Sequence, residues 1–207
     1  MKLDKAGGIA LILGSVFFAL YSSLFFVLLP IGSGNYDLAA VVLDPDWLRL
    51  TVTAFAGILL MLFGFYAAYD RIRDAAGGLG ALGFLLIELA YLLQACKVTW
   101  EIFLYPVIAG NSASAFLLRD GVLKHAPAVA LFRSASSLII FAGILLFCAA
   151  LHRSRRFPRM APAMVFGGAL LYAVGPFISI FVGVPGIFLF AVGCSLLGIR
   201  LLRSRPA

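Results

Sequence analysis

Charged residues are scarce in this sequence. Its 16 basic and 9 acidic residues make up 12% of the 207 positions, whereas hydrophobic residues make up 63%. An average soluble domain is about a quarter charged and about half apolar. So few charges cannot cover a water-facing surface, which excludes a soluble globular protein and a disordered chain. We therefore predict an integral membrane protein.

Cysteine and histidine are also rare. Cys96, Cys148 and Cys194 lie in apolar segments without paired spacing, which argues against a disulfide framework or a zinc site. The two histidines, His125 and His152, fall at opposite ends of one predicted helix and cannot ligate the same haem. We therefore predict no metal and no cofactor.

Sequence signatures of common catalytic sites are missing as well. The chain has no HExxH, no GxSxG and no phosphate-binding P-loop motif. No lysine lies in the last two apolar segments, where a retinal protein would need one. Neither a Ser–His nor an intramembrane Asp–Asp arrangement has residues to form it. We predict no catalytic residues.

Long apolar segments are abundant. A helix needs about 20 residues to cross the hydrocarbon core, and backbone groups in lipid must bond internally, so each segment is predicted to be a helix. The first is too long for the core of a cleaved signal peptide. The predicted fold is all-α, a single transmembrane domain over residues 1–207 with helices at about 6–29, 47–69, 79–105, 127–151, 161–181 and 185–202.

Several helix boundaries carry recognisable signals. Asp44-Pro45-Asp46 supplies a cap and an early helical proline, and Ala126-Pro127 opens a helix in the same way. The segment 156–162 should end one helix and begin the next. Gly183 to Gly186, which includes a proline, predicts a tight apolar turn between the last two helices. The outer connections 31–46 and 106–126 are long, and a short helix that either lies at the membrane interface or dips against the bundle is expected in the second.

Basic residues are distributed unevenly between the two predicted faces. With the amino terminus inside, eleven of the sixteen lie on the inner side and four on the outer side. This bias predicts that both termini are cytoplasmic, in a multi-pass protein of the cell membrane, plasma or bacterial inner. The positive net charge then follows from topology and indicates no nucleic acid partner. Four inner arginines are candidates for binding lipid headgroups: Arg153, Arg155, Arg156 and Arg159.

The fourth and fifth segments carry a family resemblance. The basic sequence from Arg153 to Arg159, with Pro158 before its last residue, is followed by Gly167-Gly168. In this pattern the chain resembles bacterial six-helix integral membrane proteins to which no activity is attached. The resemblance implies the six-helix fold and no function.

The third helix holds most of the polar residues inside a span. Gln94, Lys97 and Glu101 share one face, Trp100 is adjacent, and Lys97 can pair with Glu101. At 1.5 Å per residue, Glu101 lies about 6 Å and Lys97 about 12 Å from the outer end, and Arg133 of the fourth helix lies about 9 Å deep. These residues are predicted to form a net positive recess for an anionic or polar headgroup. The alternative is a structural ion-pair network with snorkelling cations.

Glu88 lies near mid-membrane on nearly the opposite face of the same helix. No basic residue is within a turn of it, and apolar surroundings disfavour its charged form, so we expect it to be protonated. It either binds protons, cations or a ligand, or bonds a hydroxyl on a neighbouring helix. Candidates for that hydroxyl are Tyr66, Tyr172, Ser136 and Ser195.

Three functions remain open. The leading hypothesis is a non-enzymatic protein that binds a hydrophobic or amphipathic, lipid-like ligand, or an accessory subunit of a membrane complex, because the spans offer few polar groups to line a path. Its predicted partners are membrane lipids and other membrane protein chains. The rival is a small proton- or cation-coupled transporter centred on Glu88. A membrane enzyme acting on lipids through the outer cluster is the third.

Overall fold

The computed structural model describes residues 2–29, 36–119, 122–178 and 180–203, and within them it is all-helical, without strands. The helices, numbered in chain order, are α1 (Lys2–Leu28), α2 (Leu38–Val42), α3 (Pro45–Thr99), a π-helix (Trp100–Leu104), α4 (Tyr105–Gly110), α5 (Phe116–Arg119), α6 (Val122–His125), α7 (Pro127–Ser154), α8 (Met160–Ile178) and α9 (Ile180–Leu202).

The 55-residue helix α3 reverses direction at one residue. Gly77 has φ 62° and ψ −176°, a conformation that only glycine adopts readily. Contacts on both sides show the reversal: the rings of Tyr69 and Phe84 stack with centroids 4.3 Å apart, and Trp47 reaches Glu101. We call residues 45–76 the first arm and residues 78–99 the second arm. They correspond to the second and third helices expected from the sequence.

Within the described residues, four helices are long and apolar enough to cross a membrane. They are Leu3–Phe25, Pro45–Gly110, Pro127–Ser154 and Gly183–Leu202. The second of these contains both arms of α3, and α8 contributes a shorter apolar helix at Met160–Gly175. The chain is therefore an all-helical protein with membrane-spanning character, as its composition predicts.

The long helices pack in a bundle that brings distant parts of the chain together. Helix α1 lies between the first arm and α9, the second arm packs on α7, and α8 packs on α9. Gly143 of α7 shows how closely the second arm approaches, since a Cβ there would lie 2.8 Å from the backbone nitrogen of Ile87. Phe65 and Phe147, both fully buried, meet edge to face in the core of this bundle.

The two ends of the bundle differ in chemistry. At one end, Arg71 pairs with Asp4 at 3.8 Å and Arg156 donates to the Arg71 carbonyl, so α1, the reversal of α3 and the α7–α8 loop meet there. Arg200 of α9 joins by donating to the Arg156 carbonyl at 3.3 Å. We call this the basic end. The opposite end is covered by α2, α4, α5 and α6, which we call the cap.

The cap has a small apolar core of its own. Leu118 of α5 is buried with Trp47 and Leu50 of the first arm and Ala109 of α4. Arg119 ties the cap from outside by pairing with Asp37 at 3.1 Å. The second outer connection is therefore helical, and of its two expected arrangements the structure shows the one packed against the bundle. Asp120, Gly121 and residues 30–35, within the two outer connections, lie outside the described residues.

Most boundary signals act as expected, and one does not. Asp44 caps α3 by accepting from the Asp46 backbone nitrogen at 2.8 Å, and Pro127 begins α7. The helices run two to seven residues beyond several predicted ends. The predicted turn at Gly183–Gly186 is wrong, because α9 already begins at Ile180 and contains Pro185. Gly186 instead permits close packing, since a Cβ there would lie 2.6 Å from the Tyr172 backbone nitrogen of α8.

Candidate functional site

A buried ion pair lies where the second arm meets the cap. The Lys97 ammonium contacts Glu101 Oε1 at 3.1 Å, which confirms the pairing expected from their four-residue spacing. The two partners differ in exposure: the Glu101 side chain is 9% exposed and that of Lys97 40%. The second carboxylate oxygen, Glu101 Oε2, is buried and has no hydrogen-bond partner among the described residues. The pair thus has one unused acceptor inside and a cation partly open to the outside.

The backbone around Glu101 is unusual because the helix widens there. Pro106 has no N–H to donate, and the preceding turn is a π-helix in which the Tyr105 N–H bonds to the Trp100 carbonyl. This shift leaves the Glu101 carbonyl without its normal intrahelical donor, which would be the Tyr105 N–H in an α-helix. The Trp47 indole Nε1 of the first arm donates to that carbonyl at 2.9 Å instead.

Aromatic residues surround the ion pair. Tyr21 of α1, Tyr105 of α4 and Tyr172 of α8 lie within electrostatic range of Lys97 or Glu101. Tyr172 is 43% exposed and also contacts Phe18 of α1, with ring centroids 5.8 Å apart. Three helices besides the second arm therefore bring phenol groups toward the pair. Their hydroxyls can both donate and accept hydrogen bonds.

The other predicted members of the cluster take different positions. Gln94 is half-buried one turn before Lys97, and Trp100 is partly exposed, its ring 5.4 Å from that of Phe132 on α7. Arg133, the next residue of α7, is exposed and forms no ion pair with any described residue. The cluster is therefore a neutral pair of one cation and one anion. Two cations in direct contact with one carboxylate are not seen among the described residues.

Glu88 lies on the second arm, away from the ion pair. Its Oε1 is buried without a hydrogen-bond partner among the described residues. Tyr91 of the same arm is its neighbour, and Tyr91 also lies within electrostatic range of Cys194 on α9. The serines expected to bond Glu88 are engaged elsewhere: Ser136 donates to the Phe132 carbonyl, and Ser195 pairs with Ser15 at 3.2 Å.

The four arginines predicted to hold lipid headgroups divide into two pairs. Arg155 and Arg156 line a recess at the basic end, together with Arg200 of α9 and Arg203 just after that helix. Arg153 and Arg159 are exposed and do not line it. Sequence reasoning had treated the four as one loop and did not include the arginines of α9 in the candidate set.

Sequence reasoning missed several residues of the ion-pair site, among them Trp47 and Tyr21. Trp47 and Tyr21 are remote in the chain from Glu101, and only the reversal of α3 and the packing of α1 bring them close. A signal for Trp47 did exist. Pro106, five residues after Glu101, indicates that a carbonyl near Glu101 loses its intrahelical donor and needs another.

Comparisons with known proteins add no assignment to this geometry. A scan against protein-family models and searches of curated proteins and of solved structures gave no match for the chain.

Proposed function

We propose that the chain crosses the cell membrane six times with both termini in the cytoplasm. The reversal at Gly77 supports this count, because it divides the longest candidate span into two arms, and α8 adds a sixth apolar helix. The contacts of the basic end support the orientation, since α1, the α3 reversal, the α7–α8 loop and the last turn of α9 meet there, and basic residues favour the cytoplasmic side.

Cysteine labelling in intact cells tests this topology. Ser112→Cys in the cap and Arg153→Cys at the basic end place single thiols at exposed positions, in a background lacking the three native cysteines. A membrane-impermeant reagent should label position 112 from outside and position 153 only after the membrane is opened. Labelling of both positions from outside would contradict the six-span arrangement.

The same proposal gives the protein a non-enzymatic role as a binder of an amphipathic, lipid-like ligand at the Lys97–Glu101 pair. The observation that carries it is the unpartnered Glu101 Oε2, buried beside a cation that is 40% exposed. A buried polar atom without a partner is costly, and a ligand donor satisfies it. Lys97 provides the complementary donor on the accessible side.

The chemistry of the pair narrows the ligand class. Because the pair is neutral, a headgroup that both donates and accepts hydrogen bonds suits it better than a purely anionic one. Hydroxyl-bearing and zwitterionic headgroups have this property. Tyr21, Tyr105 and Tyr172 add further donors and acceptors, and the exposed Phe103 and Trp100 offer aromatic surface for the apolar part of the molecule.

Quantifying bound amphiphiles by mass spectrometry tests this function. The full chain is extracted in mild detergent, and retained lipid-like molecules are counted per chain. A charge-assisted hydrogen bond contributes about 1.5–3 kcal/mol, so Lys97→Met and Glu101→Gln should each lower retention by at least about tenfold. Glu88→Gln is the matched control, because it makes the same chemical change on the same arm away from the pair.

Two further measurements keep this test decisive. The double variant Lys97→Met/Glu101→Gln leaves no unpaired charge, so it should fold and still lose the ligand. Unchanged retention in Lys97→Met, in Glu101→Gln and in the double variant would contradict the proposal. Co-purification of a membrane protein in a fixed ratio, without any amphiphile, would favour the accessory-subunit role instead.

A second candidate function is proton- or cation-coupled transport through Glu88. The specific observation in its favour is the buried, unpartnered Glu88 Oε1 in the apolar part of the second arm. Reconstituted liposomes with an imposed pH difference test it. Loss of pH-driven flux in Glu88→Gln, with folding intact, would support transport, and absence of flux in the unmodified chain would rule it out.

A further inference from the structure

A recess of about 390 Å³ opens at the basic end, between the α7–α8 loop and the last turns of α9. Arg155 and Arg156 line it from the loop, Arg200 lines it from α9, and Arg203 lines it just after that helix. Four arginines thus line one cavity from segments that are more than 40 residues apart in the chain. The site is at the opposite end of the bundle from the Lys97–Glu101 pair and does not depend on the function proposed for it.

The positive charge of this recess is largely uncompensated. Within the described part of the chain, Asp74 is the one carboxylate paired with a lining arginine, at 3.9 Å from Arg156, and its side chain is 86% exposed. Arg156 and Arg200 otherwise donate to the carbonyls of Arg71 and Arg156. Carbonyl groups orient the guanidinium groups without cancelling their net charge. The arginines of the recess could therefore be neutralised by a bound anion.

The turn that forms the recess has a strained backbone. Arg155 ends α7 in the left-handed conformation, with φ 53° and ψ 13°, and it is the one non-glycine residue with positive φ in the described segments. Such conformations cost of order 1–3 kcal/mol and tend to occur where a ligand is held. Here the turn allows two consecutive arginines to line the same cavity. The Ser154 hydroxyl supports it by accepting from the Arg156 N–H at 3.3 Å.

The floor of the recess is apolar, which distinguishes it from a site for a soluble ion. Phe157 is buried, and Leu196 and Ile199 of α9 form the wall below the arginines, with Ile199 37% exposed on its helix. We propose that this recess binds an anionic phospholipid, with the phosphate held by the arginines and the start of its tail along α9. Guanidinium groups suit this role because they bind phosphate oxygens in pairs.

Native mass spectrometry of the full chain with added phosphatidylglycerol tests the site. The pocket variant is Arg200→Gln/Arg203→Gln, and the matched control is Arg153→Gln/Arg159→Gln, which removes the same charge from the same end outside the recess. Both double variants remove two positive charges from the basic end, so the non-specific electrostatic attraction of anionic lipid should fall equally in the two. We therefore expect the pocket variant to bind the first lipid about tenfold more weakly than the control does.

A second arm of the experiment separates the lipid from its headgroup. Inorganic phosphate and glycerol 3-phosphate carry the anion without the tail, and neither should displace the bound lipid at equal concentration. Displacement by either would show a site for a free phosphate and overturn the assignment to lipid. Equal losses in the pocket and control variants would also overturn it. The single variant Arg203→Gln keeps the Arg200–Arg156 hydrogen bond and should still weaken lipid binding. It therefore tests the site even if the double variant fails to fold.

Discussion

The hydrogen bond from Trp47 to the Glu101 carbonyl makes a sharp prediction about stability. In this chain the indole replaces a backbone donor that Pro106 and the π-helix remove. Trp47→Phe keeps an aromatic ring in a buried position but deletes the donor. The carbonyl is then left without a partner, and a buried unsatisfied acceptor costs about 1–3 kcal/mol. The smaller ring adds a packing loss.

Pro106→Ala should remove the reason for the indole donor. An alanine at 106 has an N–H that can bond to the Glu101 carbonyl in the π-register, and a return to the α-register would let Tyr105 serve the same carbonyl. In this background Trp47→Phe costs only the packing loss. The two substitutions should therefore couple by about 1–3 kcal/mol, the cost of the orphaned carbonyl.

A double-mutant cycle measures this coupling. The free energy of unfolding is obtained for each variant in mixed micelles from far-UV circular dichroism, which reports helix content and not tryptophan emission. The matched control combines Trp47→Phe with Pro127→Ala, since Pro127 lies at the first turn of α7, where no N–H is needed. That control pair should be additive within about 0.5 kcal/mol. Additivity of Trp47→Phe with Pro106→Ala to the same degree would refute the argument that the indole serves an orphaned carbonyl.

Five other substitutions, two glycine pairs and one arginine, have expected outcomes in the same unfolding assay. Gly77→Ala places a side chain at positive φ and should destabilise by about 1–2 kcal/mol, whereas Gly78→Ala, with no atom near its Cβ, should be neutral or stabilising. Gly143→Ala pushes the second arm away from α7 and should lower the free energy of unfolding by about 1–3 kcal/mol. Gly167→Ala, whose Cβ meets a side chain at 3.6 Å, should lower it much less. Arg119→Ala breaks an exposed ion pair across the cap and should change stability by less than about 1 kcal/mol. An equal loss at both members of either glycine pair would contradict the packing described above.

Much of the fold was predictable because apolar length and helix caps are local properties. Asp44 and Pro127 act at the positions that their chemistry indicates. The turn predicted at Gly183–Gly186 failed for a physical reason. Glycine and proline often break helices, but in a helix packed on α8 the same Gly186 allows close approach, and α9 continues through Pro185.

The candidate site was predictable only where its contacts are local. The Lys97–Glu101 pair follows from a four-residue spacing on one helix. Depth alone suggested that Arg133 would join it, but depth does not fix the rotation of α7, and Arg133 lies on an exposed face. Trp47 could be identified only by knowing that the first arm folds back beside Glu101.

The contact between α1 and α9 has a consequence for the order in which the protein is made. Ser15 of α1 pairs with Ser195 of α9 at 3.2 Å, and a Cβ at Gly198 would lie 2.6 Å from the Gly8 carbonyl. On the ribosome, α1 emerges about 180 residues before its partner, whereas the two arms of α3 meet almost as soon as they are synthesised. The face of α1 that holds α9 therefore waits for its partner until α9 has been synthesised. A quality-control factor that recognises this face would have that interval in which to act, and chains that stop before α9 would keep exposing it.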